Sequence, residues 1–196
     1  RKAARGIAVG LALWAGSMVA AQEWDVLDRA GCADVLDWIA TASDPHGGLF
    51  IRLEATTVAV EGGYCVYEDV VYGEDVAYGR SYEVDDLRLR GVGLARIAEQ
   101  LYPQALDVTA EGFVQLVPTI DPYDLQPDYA QIIQTPFRKQ DIRLVYVGDV
   151  AARTVELRTL EIEFPHERSV ALSLFADGVD ISSPETLEAS IPNLSV

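Results

Sequence analysis

SYEVDDLRLRGVGL, residues 81–94, alternates apolar and polar side chains over most of its length and then reaches two glycines. Such alternation is typical of a β-strand with one face on a core and the other in water. We therefore predict a strand from Ser81 to Arg90, followed by a Gly-Val-Gly-Leu exit.

The alternation changes phase inside this strand. Tyr82 and Val84 have one parity, whereas Leu87 and Leu89 have the other. A strand of strict period two cannot place all four side chains on one face. An extra residue at Asp85-Asp86, a β-bulge, would restore the common face and bend the sheet.

The pattern is duplicated further along the chain, with one residue of gap. The first copy holds Tyr72, Asp75, Val76, Ala77, Arg80, Ser81, Glu83, Val84, Leu87 and Leu89, and the second holds Tyr146, Asp149, Val150, Ala151, Arg153, Thr154, Glu156, Leu157, Leu160 and Ile162. Each copy predicts a β-hairpin. The second copy changes phase at Arg158-Thr159, which predicts a matching bulge.

Both copies continue in the same way. Gly91 to Leu94 and Gly178 to Ile181 each lead into a short helical pattern, which Pro103 ends in the first copy and Pro192 in the second. The second copy also inserts one more strand, Ser169 to Ala176. The repeated unit is therefore a hairpin, a glycine exit and a short helix.

A longer helix is predicted before the sheet. Between Trp24 and Ala40, the residues Cys32, Val35, Leu36 and Ile39 form one apolar stripe at helical spacing. Residues 43–48 break this pattern and predict a loop.

The remaining segments complete an α+β plan. We predict strands at Leu49 to Val60, Tyr64 to Tyr72 and Leu106 to Val117, and a long loop at Pro118 to Gln140 that serves either binding or packing. The fold expected for residues 22–196 is one domain with a bent, mostly antiparallel sheet. It comprises an N-terminal helix and loop (22–48), a first repeat unit (49–103) and a second (104–196).

Residues 1–21 have the pattern of a secretory signal peptide. Three basic residues precede an apolar run, Ile7 to Ala15, and Val19-Ala20-Ala21 forms a small-residue cleavage site. Cleavage between Ala21 and Gln22 would place the mature chain in the periplasm or the medium. The apolar run is too short to span a bilayer, so no stable membrane span is expected after its removal.

The chain is strongly acidic, with a formal net charge of −16. Removal of residues 1–21 takes away three positive charges and no negative one, so the mature charge would be −19. Such a chain should be repelled by nucleic acid and by anionic membrane surfaces. The acidity favours solubility, and an acidic docking face remains an alternative.

Cys32 and Cys65 are the two cysteines of the chain, and an exported chain with two cysteines usually pairs them. A disulfide would link the N-terminal helix to the sheet by closing a loop of about 34 residues, which stabilises the fold by about 3 to 4 kcal/mol. Two buried thiols are the alternative.

No catalytic residue, cofactor site or metal site is predicted. His46 and His166 lie in turns beside proline, and a Gly-x-Ser-x-Gly elbow is absent from the sequence. Acidic pairs such as Asp85-Asp86 could serve a glycosidase, and the central-loop carboxylates Asp121, Asp124 and Asp128 could hold calcium although they lack an EF-hand pattern; a solvated surface is the simpler explanation. Tyrosines of the first hairpin form either a glycan-binding row or cross-strand pairs.

The segments 64–94 and 141–191 carry a resemblance to known proteins. Their repeated strand, glycine exit and short helix resemble uncharacterised exported β-rich envelope proteins of alphaproteobacteria and, more loosely, AsmA-like envelope proteins. This resemblance implies an extended, curved sheet in the cell envelope that associates with lipid. It implies no catalytic residues.

Three functions follow as hypotheses. The first is a non-catalytic binding or scaffolding protein that holds an apolar ligand, such as a lipid chain, on a curved sheet. The second is a structural or protein-interaction module whose acidic surface engages an envelope partner. The third is a hydrolase of envelope polysaccharide, which requires two buried, convergent carboxylates.

Signal cleavage is directly testable. We expect the protein purified from an exporting host to begin at Gln22, because the small residues at 19–21 suit a signal peptidase. N-terminal sequencing and the intact mass would check this start. A purified protein that retains residues 1–21 would contradict it.

Overall fold

The computed structural model describes residues 23–43, 51–74, 81–116, 139–164 and 168–190. The signal segment with Ala21 and Gln22, both histidines and residues 118–138 of the predicted loop lie outside these ranges. The strands are β1 (Ile51–Glu54), β2 (Thr57–Glu61), β3 (Tyr64–Glu74), β4 (Ser81–Val92), β5 (Ala105–Leu116), β6 (Gln140–Asp149), β7 (Thr154–Phe164) and β8 (Arg168–Asp177). The helices are α1 (Arg29–Ser43), a 3-10 helix (Leu94–Glu99) and α2 (Pro184–Ser190).

The eight strands form one sheet in which every described ladder is antiparallel. The strand order is β1-β3-β4-β5-β6-β7-β8, and β2 pairs with β3 beside β1. The strand pairs of both predicted hairpins are present, as β3–β4 and β6–β7, and each later leads into a short helix. The first predicted turn, at Asp75-Val76-Ala77, and Pro192 lie outside the described residues. The predicted fold class is confirmed.

The single strand predicted from Leu49 to Val60 is wrong, because the chain breaks into β1 and β2 at Ala55-Thr56. The break lies opposite Asp69, where β3 has a left-handed backbone (φ 49°). Thr56 bridges this point, since its Oγ1 donates to Oδ2 of Asp69 at 3.0 Å. The break in the edge strand thus follows from a change of face in β3.

The same change of face runs across three neighbouring strands. Asp69 in β3 lies opposite Asp85 in β4, and Asp85 lies opposite Gly112 in β5, whose φ is 68°. The pairing register is the same on either side of this row in both ladders. The predicted phase change at Asp85-Asp86 is present, but the extra residue expected in β4 is not, because its neighbours change face at the same level.

The second predicted bulge, at Arg158-Thr159, is confirmed. The register of β7 shifts by one residue against β6, between the pairs made by Val145 and Tyr146. It also shifts against β8, between Leu157 and Leu160. One extra residue in β7 therefore restores Leu157 and Leu160 to a common face.

Helix α1 begins later than predicted. Residues 24–28 are not helical, because Asp28 caps the first turn by accepting a hydrogen bond from N of Gly31 at 2.8 Å. The predicted apolar stripe is correct, since Cys32, Val35 and Leu36 are buried against the sheet.

A disulfide joins α1 to β3. Cys32 and Cys65 are bonded, with their Cα atoms 5.4 Å apart. Tyr67 lies two residues after Cys65 on β3, on the same face of the strand. Its hydroxyl donates to O of Cys32 at 2.7 Å. The helix is thus fixed covalently and by a buried hydrogen bond at the same point of the sheet.

Each glycine exit buries one apolar side chain over a glycine, but the two glycines are not equivalent in the repeat. Leu94 folds back over Gly91 of its own strand, and Ile181 lies over Gly148 of β6. Both apolar side chains are buried. The duplicated Gly-Val-x-apolar sequence therefore provides one apolar plug per copy, each seated where a strand carries no side chain.

Gly91 and Gly148 differ in how closely an added methyl group would approach neighbouring atoms. A Cβ at Gly91 would lie 2.6 Å from Cδ2 of Leu94 and 2.9 Å from the backbone O of Ala105, whereas a Cβ at Gly148 would meet chiefly the tip of Ile181. We expect Gly91→Ala to lower the free energy of unfolding by about 1 to 3 kcal/mol, and Gly148→Ala to lower it by less, since the tip of a side chain can rotate away. Urea unfolding of both variants would check the order, and equal losses would contradict it.

Candidate ligand-binding face

The pairing of the strands defines one continuous face of the sheet, here named the inner face. Paired residues of antiparallel strands point to the same side. From β3 to β8, one row on this face contains Tyr67, Leu87, Ala110, Ile142, Ile162 and Val170, and the next contains Cys65, Leu89, Val108, Leu144, Leu160 and Leu172. The inner face is apolar across six strands.

Helix α1 covers the inner face at the β1–β4 end. It packs on β1, β2 and β3 and on the 3-10 helix. The buried core that includes Cys32 and Val35 extends through β4 and β5 and reaches Ile142 on β6. The short helices therefore do not plug the whole inner face.

Among the described residues, α1 does not extend over the β6–β8 part of the inner face, where the apolar side chains of β6 and β7 are half-buried and those of β8 are exposed. The rows of this part continue through Leu144, Leu160 and Leu172, while the next row holds Tyr146, Leu157 and Leu174. On β8 the exposed fractions are 55% for Val170, 51% for Leu172 and 42% for Leu174. From strand and residue spacings, this patch is about 10 Å wide over three strands and about 14 Å long from the row of Val170 to the row of Leu174.

One end of the open patch is closed by the second apolar plug. Ile181 is buried over Gly148, and the hydroxyl of Tyr146 donates to O of Pro103 at 2.6 Å. Burial raises the pKa of Tyr146 well above its usual value, because the phenolate would lose its hydration. The patch is therefore bounded at this end, and we name this bounded apolar strip on the inner face of β6–β8 the trough.

The opposite, outer face is largely charged at the same strands, although it also carries Val147 and the exposed Phe175. A cleft of about 260 Å³ there has mainly charged walls, with Arg143 among carboxylates. These carboxylates belong to Glu111, Asp141, Glu161 and Glu163. The sheet thus separates an apolar trough from an acidic surface. Antiparallel sheets commonly have one apolar face and one solvent-exposed polar face in this way.

A charged cluster fixes the N-terminal segment to the outer face. Asp107 is buried and forms an ion pair with Nη2 of Arg90 at 2.9 Å, and the hydroxyl of Tyr64 donates to it at 2.7 Å. The guanidinium of Arg90 lies between the rings of Trp24 and Tyr64, 4.5 and 4.3 Å from their centroids. Burial and the bond to Asp107 raise the pKa of Tyr64.

The sequence did not predict this cluster. Arg90 and Asp107 are directly paired across β4 and β5, but that pairing depends on a register that no local pattern specifies. The two charges of the cluster contact each other, and the guanidinium also contacts the aromatic rings. The cluster therefore serves to hold residues 23–28 at the end of β4. N of Asp25 donates to O of Gly91 at 2.8 Å there.

The acidic pair Asp85-Asp86 does not converge on one site. Asp85 accepts from Nζ of Lys139 at 2.6 Å, whereas its neighbour Asp86 accepts from Arg88 at 2.8 Å. No group of three potential metal ligands occurs within the described ranges. Asp107 is the one buried carboxylate among these residues, so they do not supply the pair that a polysaccharide hydrolase requires.

The aromatic residues of the first hairpin act as cross-strand contacts. Tyr72 and Tyr82 are paired across β3 and β4 with ring centroids 6.0 Å apart, and Phe113 stacks on Tyr82 at 5.5 Å. Tyr67 is buried beneath α1. These contacts favour the structural interpretation over a glycan-binding row.

Comparisons with known proteins add no family. No protein-family model matches the chain, and no match was found among curated proteins or solved structures. The resemblance to exported envelope proteins therefore stays a prediction. Within the described residues, no helix is long and apolar enough to cross a membrane.

The buried tyrosines predict a loss of stability in alkali. Burial raises the pKa of Tyr67 and of Tyr146 above the value of 10.0 of a free phenol. Above pH 10 the unfolded chain releases these protons while the folded chain keeps them, so the free energy of unfolding falls by up to about 1.4 kcal/mol per pH unit for each tyrosine.

Urea unfolding at about pH 8 and about pH 11 would measure this loss. We expect Tyr67→Phe to show a shallower decline with pH than the unaltered protein, although it loses the hydrogen bond to Cys32 at both pH values. An identical decline in the two proteins would contradict the assignment.

Proposed function

We propose that this chain is an exported, non-catalytic protein of the cell envelope that binds an apolar ligand, such as a lipid chain, in the open trough of β6–β8. The observation that carries this proposal is a set of apolar rows that α1 leaves uncovered, ending in Val170, Leu172 and Leu174 on β8. Contiguous exposed apolar surface of this kind is typical of interaction sites.

The composition of the trough favours a chain-like ligand. Its surface consists mainly of branched aliphatic side chains, and the carboxylates of the same strands lie on the other side of the sheet. A ligand with a charged head would therefore place its tail on the trough and its head beyond the open end. The closed end, at Ile181 and Gly148, limits how far the tail extends.

Export is supported by two independent features. Residues 1–21 have the pattern of a signal peptide, and the bonded Cys32 and Cys65 are typical of an oxidising compartment. The proposed location is the periplasm or the medium. A lipid-handling role is consistent with either place.

The acidic outer face favours a second candidate function, a protein-interaction module. Glu111, Glu161 and Glu163 line one cleft of the outer face, and they would attract a basic envelope partner. This binding would weaken as salt rises. A pull-down from envelope extract that enriches no basic protein at low salt would count against it.

Ligand binding is tested by native mass spectrometry of the protein purified from its host, before and after organic extraction. We expect an extractable apolar mass. For a quantitative test, Leu172→Glu should weaken binding of a fluorescent fatty acid by about tenfold or more, because a carboxylate would replace a side chain worth about 1.5 to 3 kcal/mol of apolar contact.

Val60→Glu is the matched control. Val60 lies in β2, away from the trough, and has an exposed fraction of 42%, close to that of Leu172. It should bind the fatty acid as the unaltered protein does. A bare mass from the host, with equal fatty-acid binding by the two variants, would remove the proposal.

A further inference from the structure

On the inner face of β6–β8, the described residues carry one charged side chain, that of Arg168. Arg168 is the first residue of β8, and it shares the face of Val170 because side chains two positions apart in a strand lie on the same side. The other charged residues of the three strands lie on the outer face: Asp141, Arg143, Asp149, Glu156, Arg158, Glu161, Glu163 and Asp177. The inner face of these strands therefore has a lone positive charge.

Arg168 stands at the open end of the trough. The closed end lies at Ile181 and Gly148, whereas Arg168 pairs with Phe164 one row beyond Val170. Two residues of a strand span about 7 Å, so the base of the arginine lies about 7 Å outside the row of Val170. A guanidinium at this position can reach the end of a chain that lies along the trough.

The side chain of Arg168 is exposed, and it makes no ion pair or hydrogen bond with another described residue. Arg158 of the neighbouring strand differs in this respect, since its Nε donates to Oε2 of Glu156 at 2.9 Å on the outer face. Within the described part of the chain, the positive charge of Arg168 is therefore not neutralised by a carboxylate.

A guanidinium presents two parallel N–H groups that match the two oxygens of a carboxylate. One guanidinium balances one negative charge, and the strongly acidic chain, with a formal net charge of −16, would repel a head that carries more. The same net charge would favour a positively charged head at long range. A preference for an anionic head must therefore come from a local contact.

We propose that the trough binds an amphiphile whose head has one negative charge, such as a fatty-acid carboxylate, and that Arg168 pairs with this head. The tail then runs over Val170 and Leu172 towards Ile181. This inference rests on the proposed function, because it assigns the head of a ligand whose tail occupies the same trough. Arg168 is the residue that selects the charge of the head.

The test compares dodecanoate with dodecanol, which have the same tail, by titration calorimetry of the processed, disulfide-bonded protein at about pH 8, where the carboxylate is ionised. We expect dodecanoate to bind more tightly. Arg168→Gln should weaken dodecanoate binding by about threefold to tenfold, the range for an exposed charge-assisted hydrogen bond, and leave dodecanol binding unchanged. An equal loss for both ligands would overturn the proposal, because it would assign Arg168 to the tail or to the fold.

Arg158→Gln is the matched control, because it removes the same charge from the neighbouring strand on the outer face. It should bind dodecanoate and dodecanol as the unaltered protein does. If both variants weakened dodecanoate binding equally, the cause would be the net charge and the assignment of Arg168 would be wrong.

Charge reversal gives a second test. The unaltered protein should bind dodecanoate more tightly than dodecyltrimethylammonium, although its net charge favours the cation, and Arg168→Glu should reverse this order. Equal binding of dodecanoate and dodecanol, unaffected by Arg168→Gln, would overturn this inference and leave the trough as an apolar site. Absence of binding of all three amphiphiles would overturn the proposed function as well.

Discussion

The structure depends on a conflict between the period of a β-strand and the order of apolar residues in this chain. Strict alternation would place Val84 and Leu89 on opposite faces, yet both are buried in one core. The sheet resolves the conflict by changing face along a row through Asp69, Asp85 and Gly112, two of which have a left-handed backbone. Because the three strands change together, their hydrogen-bonded register is preserved and a single inner face results.

The covering of that face follows from where α1 is held. The bond between Cys32 and Cys65 joins the helix to β3 just before the change of face, and it closes a loop whose cross-link stabilises the fold by about 3 to 4 kcal/mol. The ion pair of Arg90 and Asp107 helps to hold residues 23–28, which precede α1, against the outer face of the sheet. A fifteen-residue helix fixed at this position reaches only part of an eight-stranded sheet, and β7 and β8 extend beyond it.

Local patterns were sufficient for the hairpins, the disulfide, the stripe on α1 and the bulge at Arg158-Thr159, because each depends on neighbours in sequence or on one repeated segment. They were insufficient where several strands act together. The face change at Asp85 was predicted as an extra residue, since the matching change at Asp69 and Gly112 requires the register of three strands. The open trough was likewise only a hypothesis, because the reach of α1 over the sheet depends on packing and not on its own sequence.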